Sequence, residues 1–407
     1  MASTVKNKKS QINSQKLEVL LNITKAINFN QSTEELLNTY EEFLRSNLHI
    51  EKLMLFSNHN EEWKLLLSYG ITNNYGTLNV EKTLLPFKET SSLNSTKNSE
   101  LKSFDIVIPV YHKAEPLAYL LIGDIYDKET EISPTIKHLP FIQTLTNIII
   151  VAIENKRLAK EKIQQEGMKK ELELASQMQS LLFPEKLPND DKIEAAALYQ
   201  PHQEVGGDYY DFIRLNENEV VFCMADVSGK GISAALLMSN FQANLRALMN
   251  SNISLTNLIK ELNAKVLSNT KGEKFITLFV AKYNQVTRVM QFINAGHNPP
   301  ILISGDHVVL LQTGSAGLGM VDELPKVKEG IITVAPNTCL FCYTDGVVEL
   351  ENEENEDFGI EKLKNILKAS THKSMEQVNL AVMENLNEYK ASMPYFDDVA
   401  LLSCRFY

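Results

Sequence analysis

Apolar and polar positions along this chain change period several times, and the changes divide it into segments. Residues from about 15 to 47 repeat apolar side chains at helical spacing, with a break at 28–31. Ser32 and Glu35 form a capping-box pattern that opens the second of two amphipathic helices. Strand-like runs follow: KLMLFS near Leu53, WKLLLSYG from Trp63, FDIVIPVYH from Phe104 and PLAYLLIGDI from Pro116. The last two flank a short polar connection at 113–115, which predicts a hairpin. Helical pattern returns from about Ile132.

The stretch 141–182 reads as one long helix, because Gly167 is its only Gly or Pro until Pro184 ends it by removing a donor and clashing with the preceding turn. Met168, Leu172, Ala175 and Leu182 keep heptad-like spacing, whereas Ile153, Leu158 and Ile163 are five apart, so the heptad is imperfect. Glu154, Lys156, Arg157, Lys160, Glu161 and Lys162 give the helix a mixed-charge surface. Two readings stand side by side: a solvated helical linker, and a dimeric coiled coil that carries a signal between domains.

From about Ile193 short strands alternate with polar loops: IEAAALY, EVVFCMADV, FITLFVAKYN, RVMQFINAG, HVVLLQTG, GIITVA, TCLFCYTDG and DVALLSCRF. Helical patterns interrupt them at about 232–252, 255–268, 360–369 and 374–389. This order predicts a two-sheet sandwich flanked by helices. The fold class expected for the whole chain is α+β.

A length of 407 residues predicts two or three domains. With 44% hydrophobic and 22% charged residues the composition is that of ordinary globular proteins, neither disordered nor fibrous. The formal net charge of −11 works against tight binding to nucleic-acid backbones or anionic lipid. Lys6, Lys8 and Lys9 are followed by polar residues where a signal peptide needs an apolar stretch, and the densest apolar run, 148–153, is far too short to span a bilayer. A cytoplasmic location without membrane insertion is therefore expected. The four cysteines, Cys223, Cys339, Cys342 and Cys404, lie in apolar strand-like runs and read as reduced core thiols. Cys339 and Cys342 make a CxxC, but on a strand residues three apart point to opposite faces, which sets a metal or redox role aside.

Candidate chemistry gathers on aspartates placed where an apolar strand meets a turn. Asp208 follows two glycines in VGGDYYDF, Asp226 ends VVFCMAD, Asp345 ends LFCYTD, and Asp397 and Asp398 begin the last strand in FDDVALL. A single Asp at such a point usually caps a turn. Several converging carboxylates repel one another unless cations lie between them, and oxygen ligands without His or Cys suit Mg²⁺ or Mn²⁺. Two such ions can activate water and polarise a phosphoryl group.

The ordered set VGGDYYDF, ADVSGKGISAALLMS, FITLFVA, NAGHNPP, YTDGVVE and FDDVALL resembles the bacterial branch of the metal-dependent (PPM, type 2C) serine/threonine phosphatases. That branch includes the stage II sporulation phosphatase and the sigma-B stress regulators. The resemblance covers roughly residues 175–407, and MQSLLFPEKLP resembles the helix end that precedes the catalytic domain. It implies that Asp208 and Asp226 bind and bridge two divalent cations, Mn²⁺ or Mg²⁺, with the backbone carbonyl of Val227 as a further ligand. Asp345 and Asp397 would complete the second side, and Asp398 would stand behind them or bind weakly. Gly207, Gly229 and Gly346 would serve backbone approach and turn geometry.

The helices, sheet and exit helix of the first 150 residues resemble, in architecture alone, a GAF sensory domain. The expected organisation is a GAF-like sensor at 15–150, a helical linker at 151–184 and a PPM phosphatase domain at 185–407. The function implied is hydrolysis of phosphoserine or phosphothreonine on a regulatory protein, with a STAS-type anti-sigma-factor antagonist as substrate and a homodimer formed through the linker helix. A catalytically silent sensor module and a small-molecule phosphohydrolase are the competing readings.

Three other features carry competing readings. SGKG at 228–231 lacks P-loop spacing, since Gly231 follows Lys230. His297 in NAGHNPP reads as a turn or packing residue before a general acid. The run ELENEENED at 349–357 holds six acids and no base, and reads as a solvated loop before a substrate-selecting one. The sequence also lacks an obvious phosphate-binding arginine of the eukaryotic type 2C kind, and Ala400 stands where many relatives have Thr.

Overall fold

The computed structural model describes residues 2–59, 62–71, 78–93, 98–112, 115–123, 138–249 and 252–407, apart from the side chains of 2–13 and 99. Two compact units divide the chain, Met1–Glu166 and Gly167–Tyr407.

In the first unit, helices α1 (Ala2–Asn28) and α2 (Thr33–Ser46) are separated by the expected break. Ser32 caps α2 by accepting from the Glu35 N–H while the Glu35 carboxylate accepts from the Ser32 N–H, so two otherwise orphaned donors are satisfied. Strands β1 (Lys52–His59), β2 (Glu62–Tyr69), β3 (Ser91–Ser92), β4 (Ile106–His112) and β5 (Glu115–Gly123) form a sheet in the order β2-β1-β5-β4-β3, all neighbours antiparallel. The short helix α3 (Val80–Thr83) precedes β3. Strands β4 and β5 pair as the expected hairpin with His112 opposite Glu115, although 113–114 lie outside the described residues. Residues 132–137 of the expected return to helix also lie outside them.

Helix α4 (Leu139–Ser180) runs for 42 residues. Ile142, Leu145, Ile149 and Ile153 recur at helical spacing and bury against the same core as Leu53, Leu55, Leu120 and Ile122 of the sheet. The opposite face of that sheet carries a second core built on Met54, Phe56, Val107, Tyr119 and Leu121. Alternate residues of one strand thus feed two cores, as the two-residue period of a strand dictates.

The second unit is a four-layer sandwich. One sheet orders β13-β10-β9-β8-β7, with β14 also paired to β10; the other orders β12-β11-β15-β16-β6. The first comprises β7 (Tyr209–Arg214), β8 (Glu219–Val227), β9 (Ile276–Asn284), β10 (Val289–Ala295), β13 (Gly314–Ser315) and β14 (Gly330–Thr333). The second comprises β6 (Ile193–Gln200), β11 (Ile301–Ser304), β12 (His307–Leu310), β15 (Thr338–Tyr343) and β16 (Val399–Phe406). The α+β class and the sandwich flanked by helices are as expected. Strand β7, a motif rather than a strand in the sequence reading, forms an edge, and ILIS at β11 adds a strand that the hydrophobic runs had not separated.

Periodicity explains the layering. Val220, Phe222 and Met224 of β8 face the core between the sheets, while Val221, Cys223, Ala225 and Val227 face the helices α5 (Ile232–Leu248) and α6 (Leu255–Thr270). On the other side, Val399 and Leu401 of β16 face α8 (Ile360–Ser370) and α9 (Met375–Lys390), with Leu402, Cys404 and Phe406 turned inward. Cys339 packs with the outer layer and Cys342 with the inner core, so the CxxC is split across the sheet as expected. Among the described residues no helix is long and apolar enough to cross a membrane.

Candidate active site

Neighbouring strands β7 and β8 of one sheet, and β15 and β16 of the other, bring the aspartates to one end of the sandwich. Asp208 lies one residue before β7, Asp226 is the penultimate residue of β8, Asp345 opens the single-turn helix α7 (Asp345–Val348), and Asp397 and Asp398 precede β16. Main-chain crowding explains the glycines beside them. A Cβ on Gly207 would stand 3.0 Å from the Val227 carbonyl oxygen, and one on Gly346 would stand 2.1 Å from the Asp398 carbonyl oxygen.

Their electrostatics show that the carboxylates share one environment. Burial, then Asp226 and Asp398, push the Asp208 carboxyl well above the ordinary aspartate range, against a hydrogen bond from Thr344. Asp226 is pushed up to about 7 by burial and by Asp345 and Asp397, and shares a hydrogen bond with Asp208. Asp345 is pushed up to about 6 by burial, Asp397 and Glu349, with the Gly346 N–H opposing. Each acid therefore raises the cost of ionising its neighbours, as carboxylates sharing a partly desolvated site must. One oxygen of Asp208, Oδ2, is buried without a hydrogen-bond partner.

The adjacent pair separates by role. Both oxygens of Asp398 are engaged by main chain: Oδ1 accepts from the His202 N–H and Oδ2 from the Gly207 N–H, each at 2.7 Å. Asp397 is more open; its Oδ1 accepts from the Asp398 N–H and its Oδ2 lies 2.9 Å from Lys230 Nζ. Lys230 also donates to the Phe396 carbonyl, so the SGKG loop reaches across to the start of β16. Among the described residues no three acid, His or Cys side chains already stand as a cage around one cation.

Other residues around the site were not singled out by the sequence. Thr344 is fully buried, and its hydroxyl accepts from the Ala400 N–H at 2.9 Å while bonding to Asp208. Asp211, also fully buried, accepts from Tyr209 Oη at 2.5 Å and from Arg246 Nε and Nη2 at 2.8 and 2.9 Å. That ion pair ties α5 to the strand that follows Asp208. Both lie inside quoted motifs, Thr344 in YTDG and Asp211 in VGGDYYDF, and that place is the one signal that could have drawn attention to them.

His297 sits in the scaffold. It is 6% exposed, its Nδ1 lies 2.8 Å from Thr277 Oγ1, and its main-chain N–H donates to Asn294 Oδ1. Burial pushes it down to about 3, so it is neutral at physiological pH and lacks the imidazolium proton that a general acid would give a leaving group. The acidic run 349–357 folds into a hydrogen-bonded turn, with Leu350 and Phe358 buried at its two sides and most of its acids facing solvent. Glu349 alone adds to the field on Asp345.

Residues 216–407 match the family model for stage II sporulation protein E, SpoIIE. The phosphoserine phosphatase RsbU of Bacillus subtilis is 31% identical over 192 residues, covering 47% of this chain and 57% of RsbU. RsbP, a phosphoserine phosphatase of the same organism, is 27% identical over 187 residues, covering 44% of this chain and 46% of RsbP. The chain thus spans about half the length of these curated relatives. The solved SiaA-PP2C domain of Pseudomonas aeruginosa superposes with a TM-score of 0.53 at 20% identity, covering 60% of this chain and 98% of that domain. Residues 216–407 are therefore similar to the SpoIIE family and to RsbU and RsbP, and the second unit has the PP2C fold.

Proposed function

We propose that the chain is a metal-dependent phosphatase that hydrolyses phosphoserine or phosphothreonine on a protein. The observation that carries this reading is the convergence of Asp208, Asp226, Asp345 and Asp397 at one end of a PP2C-type sandwich, each of the first three made harder to ionise by the others. A hard-oxygen donor set, with a buried and unpartnered Asp208 Oδ2, fits Mn²⁺ or Mg²⁺ and not zinc. Asp208, Asp226, Asp345 and Asp397 would hold two such cations, with the Val227 carbonyl beside Gly207 as a further ligand. Bound divalent cations supply Lewis-acid polarisation of the phosphoryl group and activation of water near neutral pH.

The chain's own residues set the geometry around that chemistry. Asp398 spends both oxygens on the turn 202–207, which supports Asp397 as the ligand of the pair and Asp398 as the anchor of the loop bearing Asp208. Lys230 offsets charge at Asp397 and places a cation at the mouth of the site. Burial pushes the thiols of Cys223, Cys342 and Cys404 upward, which disfavours a route through a cysteine nucleophile.

In the fuller reading the first unit is a GAF-like sensor at 15–150, 151–184 is the linker, and the substrate is a phosphorylated STAS-type antagonist protein. Its basis is the five-stranded antiparallel sheet with helices packed on one face, and the likeness to RsbU and RsbP. Pairing of two chains through α4 accounts for exposed Met168, Leu174 and Met178 on that helix and for the apolar groove of about 500 Å³ that Met168 and Met178 line with Leu236 of α5.

Phosphate release from a phosphoserine protein, with Mn²⁺, with chelator and with Asp226→Asn, tests the reading. Release should need the metal and fall at least a hundredfold in the variant. Turnover that survives both chelation and the substitution refutes the metal assignment, and turnover confined to small esters refutes the protein substrate.

A further inference from the structure

We propose that Gln179 is a positioning residue for the candidate metal site: by gripping the Gly206 backbone from the last turn of α4, it fixes where Asp208 stands. The inference rests on the metal-dependent reading of that site and adds to it a residue outside the motifs.

Gln179 lies one residue before the end of α4 and is 7% exposed. Its Nε2 donates to the Gly206 carbonyl at 2.7 Å, and the Gly206 N–H donates back to its Oε1 at 3.2 Å. One such bond would only satisfy a buried amide. Two opposed bonds to the same residue fix orientation as well as position, because the carboxamide is planar and its donor and acceptor are rigidly linked. Gly206 is two residues from Asp208. Between them, the Gly207 N–H is held by Asp398.

This turn has no slack. A Cβ on Gly206 would stand 2.0 Å from Tyr199 Oη and 2.2 Å from Asp398 Oδ2, so the backbone is pressed against β6 and against the start of β16. The 202–207 turn is therefore clamped from two directions, by Asp398 ahead of β16 and by Gln179 on the helix. Thr344 and Asp226 bond the Asp208 carboxyl but leave Oδ2 without a partner, so where that oxygen stands depends also on the backbone beneath it. A ligand aimed by its backbone is only as well placed as the groups that hold that backbone. Releasing one clamp should weaken cation binding in the folded protein, and added metal should recover it.

The test uses the full chain with Gln179→Leu, which removes both hydrogen bonds at similar shape, and Gln179→Glu, which keeps the acceptor but sets an oxygen against the Gly206 carbonyl. Mn²⁺ affinity is measured by titration calorimetry, thermal midpoints with chelator and with Mn²⁺, and kcat and KM with p-nitrophenyl phosphate across Mn²⁺ concentrations. Both variants should bind Mn²⁺ about tenfold more weakly and gain less thermal stability from it. At low Mn²⁺ they should lose kcat with KM within about twofold, and recover as Mn²⁺ is raised. A Gln179 with a purely structural role would lower the midpoint equally with and without Mn²⁺ at unchanged affinity, and that result overturns the proposal. If Gln179→Leu does not fold, unchanged Mn²⁺ affinity in folded Gln179→Glu overturns it equally. Wild-type chain that binds no Mn²⁺ overturns both this inference and the metal reading beneath it, whereas wild-type binding with unaltered variants overturns this inference alone.

Discussion

The Asp226 carboxyl burdens the bare fold. Its pKa of about 7 in the folded chain stands well above the roughly 4 of an unfolded aspartate, so the folded state holds its proton more tightly. The stabilisation from that proton is complete below about pH 4 and is lost as pH rises through 7. Asp226→Asn removes the ionisation. In chelator the variant should melt above the wild type at pH 8, with the gap closing toward pH 4; a gap independent of pH would show that Asp226 is not held in this shifted state. Motif reading found this residue because strand ends beside glycines are legible locally. It did not find Thr344, Asp211 or Arg246, whose roles depend on partners elsewhere in the chain, as when Arg246 meets Asp211.

Among the elements, α4 carries the clearest local signature. Its ends were legible within a few residues, since Pro184 forbids continuation and the pattern from Phe141 is unbroken. Gly167 is its weak point: an added Cβ would meet nothing within 4 Å, and glycine inside a helix costs up to about 1 kcal/mol relative to alanine. Gly167→Ala should raise stability by about 0.5–1 kcal/mol in denaturant titration, and a loss of stability would mean that the position is packed in solution. Strand β7 shows the opposite case. YYDFIR mixes aromatic, acidic and basic residues on an edge, and its pairing to β8 becomes visible only once β8 is in place.

The whole molecule divides at Gly167, and the second unit contains both sheets, four long covering helices and every candidate ligand. A fragment of residues 167–407 should therefore fold and release phosphate with Mn²⁺. Deleting residues 1–150 should change the rate or its regulation, or the oligomeric state by sedimentation. Unchanged turnover together with unchanged oligomeric state would remove the sensor from the proposed function.

The sequence by itself determined most of the elements, the faces of most strands and the order of the aspartate motifs. Each depends on periods of two or 3.6 residues, or on a turn a few residues long. Tertiary structure alone decided which of Asp397 and Asp398 is tied to the turn 202–207, that Lys230 reaches the start of β16, and that Gln179 holds Gly206. Asp398 and Gly207 are 191 residues apart. Contacts at that separation follow from how two sheets stack and where a helix ends against them, and no local pattern encodes that distance.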